Sequence, residues 1–380
     1  MFHLTSEQEM IRLMAGDFAK RELEPFAGKR DEEEMFPVDV VKKMGQLGLM
    51  GMMVPVGYGG SGAGAVSYSL ALQEIAYACA STAVTMSVTN LSCEPLLKFG
   101  NEEQKRKYLE PLASGGMLGA FAVTEPDAGS DPGSIKTRAE DMGDYYLVNG
   151  TKNFITNGGY ADLINLIART DSKKGNRGLS AFIVEKEFPG FSVGKKEKKM
   201  GIRASNTVEL IFDDCRIPKE NLLGREGQGF KVAMTALDSG RIGIASQSLG
   251  IARACLDEAV KYANTRRQFG KTISSFQAIQ WMVADMATQI EAARLLTLSA
   301  ANQKDLGLAF TKEASMAKLF ASELANRASY KALQIHGGYG YMTEYKVERL
   351  YRDARVTSIY EGSSEVQRIV IARDVMGSSG

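Results

Sequence analysis

The chain has 380 residues, of which 44% are hydrophobic and 24% are charged. This length exceeds what one hydrophobic core usually organises, so we expect two or three structural regions, and the ordinary composition excludes a disordered or low-complexity protein. The 46 Lys and Arg residues balance the 45 Asp and Glu residues. The resulting net charge of +1 argues against the basic face that binding of nucleic acid requires.

No membrane segment or targeting signal is predicted. The sequence contains no stretch of 18 or more uncharged apolar residues, which a membrane-spanning helix would need. Met1 leads directly into Thr5-Ser6-Glu7 and an acidic helix start, so we expect no secretory signal. We therefore expect a cytoplasmic protein without a membrane span.

Cysteine and histidine usage limits the chemistry that the chain can perform. The four cysteines form no C-x-x-C pair, which argues against a zinc ribbon or a disulfide framework and fits a reducing cytoplasm. They are Cys79, Cys93, Cys215 and Cys255. Because the only histidines are His3 and His336, a multi-histidine metal site or a Ser-His-Asp triad would depend on His336 alone. We predict no metal site and assign acid–base chemistry to a carboxylate.

The first 110 or so residues predict helices. Ser6 and Glu9 form a candidate capping box ahead of apolar residues at helical spacing. Three further helices are predicted over Val38–Leu47, Val66–Ala80 and Asn101–Leu112, the first ended by Gly48. The glycine-rich segment Gly57–Gly62 matches G-x-G-x-x-G formally, but it lies between helices, so we interpret it as a loop rather than a dinucleotide site.

The pattern changes to β-structure from about residue 118 to Cys215. Alternating, β-branched and aromatic residues dominate there, and Asn149-Gly150 between two such runs predicts a hairpin turn. The run Lys195–Lys199 is interpreted as a solvated loop, with a polyanion contact as the alternative. This region predicts a β domain of about a hundred residues between helical regions.

Beyond Gly229 the chain returns to long helices that suit a bundle. They are predicted over Phe230–Thr265, Gln277–Asp305, Thr311–His336 and Ser363–Val375. The predicted fold class is α+β, with an N-terminal all-α domain over residues 1–117, a central β domain over residues 118–226 and a C-terminal helical bundle over residues 227–380.

Five segments, in order across this α–β–α chain, carry a resemblance. They are FAVTEPDAGSD (Phe121–Asp131), FITNGG (Phe154–Gly159), RRQFG (Arg266–Gly270), LQIHGGYGY (Leu333–Tyr341) and RDARVTSIYEGSSEVQR (Arg352–Arg368). With them, the sequence resembles the acyl-CoA dehydrogenase family over essentially its whole length, and the short-chain, butyryl-type branch within it. The resemblance implies an N-terminal helical domain, a central β-barrel-like domain and a C-terminal four-helix bundle. It also implies FAD between the β domain and the bundle, and a homotetramer built as a dimer of dimers, in which each FAD is partly held by a neighbouring subunit.

The resemblance implies a set of FAD contacts. They are Phe121, Ala122, Val123, Thr124, Gly129, Ser130, Phe154, Ile155, Thr156, Arg266, Phe269, Gln277, Gln334, Ile335, Gly337, Gly338, Ser363, Ser364 and Glu365. Thr156 would bond near flavin N5, and Phe154 would cover one face of the ring where many relatives carry Trp. Arg266 would hold the diphosphate, which suits a side chain with several donors. His336 is interpreted as a packing residue.

The substrate contacts implied by the resemblance are Ser130, Asp238, Arg241, Tyr360 and Gly362. On spacing alone, Asp238 and Arg241 could equally be an ion pair on a helix surface. The catalytic base implied by the resemblance is Glu361, between Tyr360 and Gly362 and just before a helix that Ser363 could cap. Some branches of the family place the base on another helix, but this chain has Gly240 and Gly243 in the corresponding region.

The implied reaction is α,β-dehydrogenation of a short-chain acyl-CoA to a 2-enoyl-CoA. Glu361 would remove the α-proton, flavin N5 would accept hydride, and electron-transferring flavoprotein would reoxidise the FAD. Butyryl-CoA is the first choice of substrate, while a branched or alicyclic ester such as cyclohexanecarbonyl-CoA stays open; Thr82–Leu97 would line the acyl pocket. The alternatives are an acyl-CoA oxidase, a monooxygenase or nitroalkane oxidase of the same fold, and a non-catalytic scaffold.

Overall fold

The computed structural model describes residues 3–377 and has helices towards both ends of the chain with strands between them, which confirms the α+β prediction. The helices are α1 (Ser6–Phe18), α2 (Ala27–Glu32), α3 (Val38–Gln46), α4 (Gly64–Ala78), α5 (Ala80–Phe99), α6 (Glu102–Ala113), α7 (Gly229–Thr265), α8 (Gln277–Asp305), α9 (Thr311–His336), α10 (Lys346–Arg355) and α11 (Ser364–Met376). The strands are β1 (Gly119–Ala122), β2 (Arg138–Asp141), β3 (Tyr145–Thr156), β4 (Leu163–Arg169), β5 (Leu179–Glu185), β6 (Phe191–Lys196), β7 (Thr207–Pro218), β8 (Leu222–Leu223), β9 (Arg267–Gln268) and β10 (Lys271–Thr272). No helix within residues 3–377 is long and apolar enough to cross a membrane.

Side-chain caps fix where the amphipathic N-terminal helices begin. The cap of α1 is Thr5, which exchanges hydrogen bonds with Gln8, so the predicted box of Ser6 and Glu9 is wrong by one residue. The corresponding pair at α6 is Asn101 with Gln104. Both pairs satisfy backbone N–H groups that a helix start otherwise leaves without a partner.

Strands β1 to β8 form one mixed sheet in the order β6-β7-β3-β2-β4-β5-β8, and β1 adds to β4 in parallel. Strands β9 and β10 form a separate antiparallel pair. The predicted hairpin at Asn149-Gly150 is wrong, because both residues lie inside β3, which pairs with β2 on one side and with β7 on the other. Gly150 instead marks a shift of register in the ladder with β7. The turn before β3 lies at Gly143, which has a φ of +93°. Pairing with strands on both sides therefore outweighs the local turn preference of Asn-Gly.

The C-terminal bundle is built around the close approach of α7 and α9. Alanine recurs at helical spacing along the buried face of α9, and small side chains let two helix backbones approach closely. The alanines are Ala314, Ala317, Ala321, Ala325, Ala328 and Ala332. Helices α8, α10 and α11 complete the bundle around this pair.

Asp305, at the end of α8, fastens the bundle to the N-terminal helices. Its two carboxylate oxygens accept hydrogen bonds from the backbone N–H groups of Ala65 (2.6 Å) and Val66 (3.0 Å). These donors belong to the first turn of α4, where a negative charge is also favourable for the helix dipole. Asp305 thus caps a helix that is 240 residues away in sequence.

We predict that Asp305→Ala lowers the free energy of unfolding by about 1–2 kcal/mol, because two N–H donors lose their acceptor. The measurement is chemical denaturation of the holoprotein. Asp257→Ala, which removes an exposed hydrogen bond with Tyr77, is the control and should change stability by under about 0.5 kcal/mol. Equal effects of the two substitutions would contradict the capping role.

Candidate active site

Two segments of the β region are held side by side by backbone and lysine contacts. One is the loop 123–130 that follows β1, and the other is the end of β3. The Asn153 N–H donates to the Thr124 carbonyl oxygen at 2.8 Å, and Lys152 Nζ donates to the Val123 carbonyl oxygen at 2.9 Å. The structure therefore brings together the sequence-predicted residues of the FAVTEPDAGSD and FITNGG segments.

A buried ion pair between Lys152 and Glu125 anchors this arrangement. Lys152 Nζ lies 2.7 Å from Glu125 Oε1, and both side chains are almost completely excluded from solvent. The Glu125 carboxylate also accepts from the backbone N–H groups of Lys136 (2.6 Å) and Thr137 (3.0 Å). Burial lowers the pKa of Lys152 to about 8 even though Glu125 acts in the opposite direction. Removing either partner would leave the other charge buried without its counter-ion.

Phe154 is presented to the outside of the sheet by an unusual backbone conformation. Its φ is +59°, which a bulky residue rarely adopts, and it lies where the β3–β7 register shifts between Lys152 and Ile155. The side chain is 62% exposed. Ile155 is buried beneath it, and Thr156 pairs with Thr207 in the ladder. An exposed aromatic ring held in a strained conformation is suited to stacking against a flat ligand.

Glu361 occupies the turn between α10 and α11, and its carboxylate points into the bundle. Its φ is +52° and that of Gly362 is +85°, so two consecutive residues are left-handed. Oε2 of Glu361 is buried and has no hydrogen-bond partner among the described residues. A Cβ at Gly240 on α7 would lie only 2.6 Å from this oxygen. The missing side chain at Gly240 therefore makes the space that the carboxylate enters.

Two buried cations face this carboxylate. Burial raises the pKa of Glu361 to about 7, while Lys318 on α9 and Arg241 on α7 pull the pKa downwards. Lys318 is completely buried, and burial lowers its pKa to about 8. A carboxyl group that titrates near neutrality is matched to general-base chemistry at physiological pH.

Arg241 and Asp238 form an ion pair, but a buried one, so the alternative of a pair on the helix surface is wrong. Arg241 Nη1 donates to Asp238 Oδ1 at 2.6 Å and to Ser315 Oγ at 3.2 Å, and Arg241 is only 4% exposed. Burial raises the pKa of Asp238. Arg241 Nε is buried without an acceptor in the described chain, so this donor is available to a ligand.

The residues around Glu361 have separate placements. Ser363 caps α11, as predicted, and accepts from the Val366 N–H at 3.5 Å. Ser364 is buried and its Oγ has no partner among residues 3–377, whereas Glu365 is exposed. The Tyr360 hydroxyl donates to Gln247 on α7.

A third group of sequence-predicted residues lies at the other end of α7. Arg266 ends this helix and, together with Ile335, Gly337 and Gly338, lines a cavity of about 530 Å³. The predicted cofactor residues Phe269, Gln277 and Gln334 are exposed. His336 stacks on the Tyr262 ring at 4.2 Å, and its Nδ1 lies 2.8 Å from the Ala332 carbonyl oxygen, a packing role that agrees with its interpretation.

This third group is far from Glu361 within one protomer. Arg241 and Arg266 are separated by 25 residues of α7, which correspond to about 37 Å of helix. The sequence-predicted residues therefore fall into three clusters: the loop beside Phe154, the carboxylate at Glu361, and the cavity at Arg266.

Three charged residues of the site were missed from the sequence. Glu125 lies within FAVTEPDAGSD and Lys152 lies two residues before FITNGG, but nothing in their spacing indicates that they pair. Lys318 could have been found, because it lies between Ala314 and Ala321 on the alanine face of α9, where a charge is unexpected without a purpose. No group of three or more His, Cys, Asp or Glu residues suited to a metal occurs within residues 3–377.

Comparison with known families matches all three parts of the chain. Residues 5–116 match the acyl-CoA dehydrogenase N-terminal domain, residues 120–215 its middle domain and residues 227–376 its C-terminal domain. The chain belongs to the acyl-CoA dehydrogenase family. It is therefore an oxidoreductase of the acyl-CoA dehydrogenase type, and the recognition made from the sequence motifs is confirmed.

Individual members of the acyl-CoA dehydrogenase family align over nearly the whole chain. A short-chain specific acyl-CoA dehydrogenase of Clostridium acetobutylicum is 50% identical and covers 98% of both chains. The solved butyryl-CoA dehydrogenase of Megasphaera elsdenii is 47% identical, has a TM-score of 0.97 and covers 99% of this chain and 100% of its own.

Two further solved chains bear on cofactor and partner. A chain solved in work on the electron transferring flavoprotein of Acidaminococcus fermentans is 49% identical, with a TM-score of 0.98 and complete coverage of both chains. An acyl-CoA dehydrogenase of Bacillus anthracis complexed with FAD is 36% identical, with a TM-score of 0.92, and covers 98% of this chain and 68% of its own.

We predict that Lys152→Met lowers the free energy of unfolding by about 3 kcal/mol or more, because it leaves the Glu125 carboxylate buried without its cation. Denaturant titration of the holoprotein measures this change. Lys136→Met is the matched control, since Lys136 pairs with Asp127 in an exposed ion pair worth about 0–1 kcal/mol. A loss no larger than that of the control would show that the buried pair does not hold the loop.

Proposed function

We propose that this chain catalyses the FAD-dependent α,β-dehydrogenation of a short-chain acyl-CoA to the 2-enoyl-CoA. The observation that carries the proposal is Oε2 of Glu361, a buried carboxylate oxygen that has no hydrogen-bond partner among residues 3–377 and belongs to a carboxylate that faces two cations. Leaving a buried oxygen unpaired costs stability, so the arrangement is best explained by a substrate C–H group as its missing neighbour. The solved butyryl-CoA dehydrogenase with the same fold supports this choice.

Glu361 would act as the general base on the α-carbon of the thioester. Its pKa of about 7 keeps a substantial fraction of the carboxylate ionised at neutral pH while giving it enough basicity to accept a proton. Arg241 and Lys318 stabilise the ionised form, and the left-handed turn fixes its direction. The base is therefore aimed before substrate binds, which avoids reorganisation during the reaction.

The residues beside Phe154 fit a flavin. The exposed, strained Phe154 offers a ring face, and Gly129 and Ser130 are exposed in the adjoining loop. Phe154 would cover the ring, Thr156 would bond near N5, and Thr124 would contact the pyrimidine edge, together with the other flavin contacts assigned from the sequence. The bound FAD would supply the acceptor for the β-hydrogen, which leaves as hydride.

The substrate would enter between α5, α7 and the Glu361 turn. Arg241 and Asp238 would contact the thioester arm, the former through Nε, which has no acceptor among residues 3–377, and Ser130 would lie towards the pantetheine. Gly243 lies one turn beyond Gly240 on α7, and a Cβ there would meet Ser87 Oγ at 2.5 Å and the Tyr68 hydroxyl at 2.7 Å. Polar side chains therefore close the bundle near the base, which suits a short acyl group, butyryl first, with branched and alicyclic esters as alternatives.

The cavity at Arg266 would serve the FAD of a neighbouring subunit. Its distance of about 37 Å along α7 from Arg241 supports this assignment. Exposed apolar side chains such as Phe269 (91%) and Trp281 (65%) support burial against another copy, in a homotetramer arranged as a dimer of dimers.

We further propose electron-transferring flavoprotein as electron acceptor. Four buried, free cysteines fit the cytoplasm.

We predict that Glu361→Gln reduces the rate of flavin reduction by at least ~10²–10⁴-fold, because the amide cannot accept the α-proton. The measurement is anaerobic mixing with butyryl-CoA: the wild type should bleach the visible flavin band, and the variant should perturb the band without reducing it. Glu187→Gln, on an exposed surface carboxylate, should react like the wild type. Reduction of the variant at close to the wild-type rate would exclude Glu361 as the base.

We predict that Arg266→Ala weakens FAD retention and subunit association together, because the diphosphate loses a multidentate cation supplied across the interface. Flavin content after gel filtration and the mass measured by light scattering would report both effects. Arg267→Ala removes the same charge from the next residue, whose guanidinium bonds the Gly270 carbonyl oxygen, and should retain both properties. Full FAD occupancy in the Arg266 variant would show that the diphosphate lies elsewhere.

A further inference from the structure

We propose that Lys318 is a positioning residue that holds the turn carrying Glu361 and keeps its carboxylate directed at the substrate. Lys318 Nζ donates to the Gly362 carbonyl oxygen at 2.7 Å, from α9 to the residue immediately after the base. The inference rests on the proposed function, and it assigns a role to a residue in none of the recognised motifs.

The turn needs external support because its backbone is strained. Glu361 has a φ of +52°, which a non-glycine residue rarely adopts and which persists only where surrounding contacts enforce it. Besides Lys318, Gln367 Nε2 donates to the carbonyl oxygens of Glu361 (3.2 Å) and Gly362 (2.9 Å). Both donors are fully buried. Lys318 and Gln367 thus fix, by hydrogen bonds to the carbonyl oxygens of Glu361 and Gly362, the backbone of the turn that directs the carboxylate.

A lysine is a costly choice for this position if it only fills space. Lys318 lies on the alanine face of α9 and forms no ion pair among the described residues. A buried ammonium without a close counter-ion is expensive, and the backbone bond to Gly362 alone could have been made by a neutral donor. Among the acidic groups, Glu361 favours the charged form of Lys318 most strongly, and this carboxylate explains why the donor carries a positive charge.

The charged groups around the pair act on it from every packed element. Glu361 faces Lys318 from α9 and Arg241 from α7, and the hydroxyls of Tyr68 on α4 and Tyr360 sense its charge in turn. Lys318 is faced by Glu361 and Arg241, and Glu323 on α9 and Glu365 on α11 have smaller effects on its pKa. Lys318 and Arg241 are the cations among residues 3–377 that lower the pKa of Glu361. Without the charge of Lys318, Arg241 acts alone and the pKa of Glu361 should rise.

The test replaces Lys318 by Met, which has a similar length but neither charge nor donor, and by Gln, which is neutral but polar. Flavin reduction by saturating butyryl-CoA is followed anaerobically from pH 5.5 to 9. The wild-type rate should rise with pH as Glu361 loses its proton. In both variants the rate at pH 7 should fall at least tenfold, and the rising limb should move up by about one pH unit, with butyryl-CoA affinity within about threefold of wild type.

Two further variants separate positioning from general structure. Lys318→Arg keeps the cation and should hold the rising limb at its wild-type pH. Lys331 lies on α9, as Lys318 does, and forms a partly exposed ion pair with Asp285 of α8. Lys331→Met removes this pair and should leave the profile unchanged. Thermal stability and flavin content are recorded for every variant.

The pH profiles of the Lys318 variants either support or overturn the positioning role of Lys318. An unshifted profile in Lys318→Met or Lys318→Gln, whatever their stability, would assign Lys318 to packing and overturn the inference. It would equally fail if neither neutral variant folds with FAD, since the lysine would then be a folding requirement. If the wild type itself is not reduced by any short-chain acyl-CoA, the proposed function fails first, and the two failures are distinct.

Discussion

The active site depends on keeping the carboxylate oxygen Oε2 of Glu361 buried in the protein. An ionised group loses several kcal/mol of hydration on entering a protein interior, and this loss must be offset by charges and dipoles already in position. At Glu361 the offset comes from Lys318 and Arg241, two cations on different helices. The offset is incomplete, and the remaining cost is visible as a pKa near neutrality. The same imbalance that would be a defect in a structural residue makes this one reactive.

Elsewhere in the chain, buried charges are matched more fully. Lys304 donates to Glu94 at 2.9 Å and to Ser239 at 2.6 Å, which links α8 to α5 and α7. The Lys152–Glu125 pair links β3 to the loop after β1. These pairs join elements from different parts of the chain, so the site is held by contacts between regions that the sequence separates widely. The boundaries between the three domains at residues 117/118 and 226/227 stay a prediction. Asp305 joins the two helical regions by its hydrogen bonds to the first turn of α4.

Local patterns predicted most of the helices and few of the strand details. The long helices α8 and α9 were predicted residue for residue, since amphipathic periodicity and flanking breakers act within a few residues. Asn149-Gly150 misled because the pairing that overrides it comes from β7, more than fifty residues later. The three clusters of site residues were recognisable as motifs. The distance along α7 between the Glu361 cluster and the Arg266 cavity was not, because the distance between motifs is set by tertiary packing. The position of Lys318 on the alanine face of α9 marks it as unusual, but its hydrogen bond could not be predicted for the same reason, because the Gly362 carbonyl oxygen lies 44 residues away.

Because Gly240 has no side chain, the Glu361 carboxylate occupies the space that a side chain at position 240 would otherwise fill. A Cβ on α7 at this point would already touch the Glu361 carboxylate, so a longer acidic side chain grown from the helix would occupy the space that the turn now fills from the opposite side. A base can therefore be delivered from the helix or from the turn, but the cavity accommodates only one. Moving the base from the turn to the helix would require a change at Glu361 and a change at Gly240. A protein with only one of these changes would have either no base or two carboxylates competing for one cavity. The backbone of α7 thereby constrains which evolutionary steps are open to the loop that faces it.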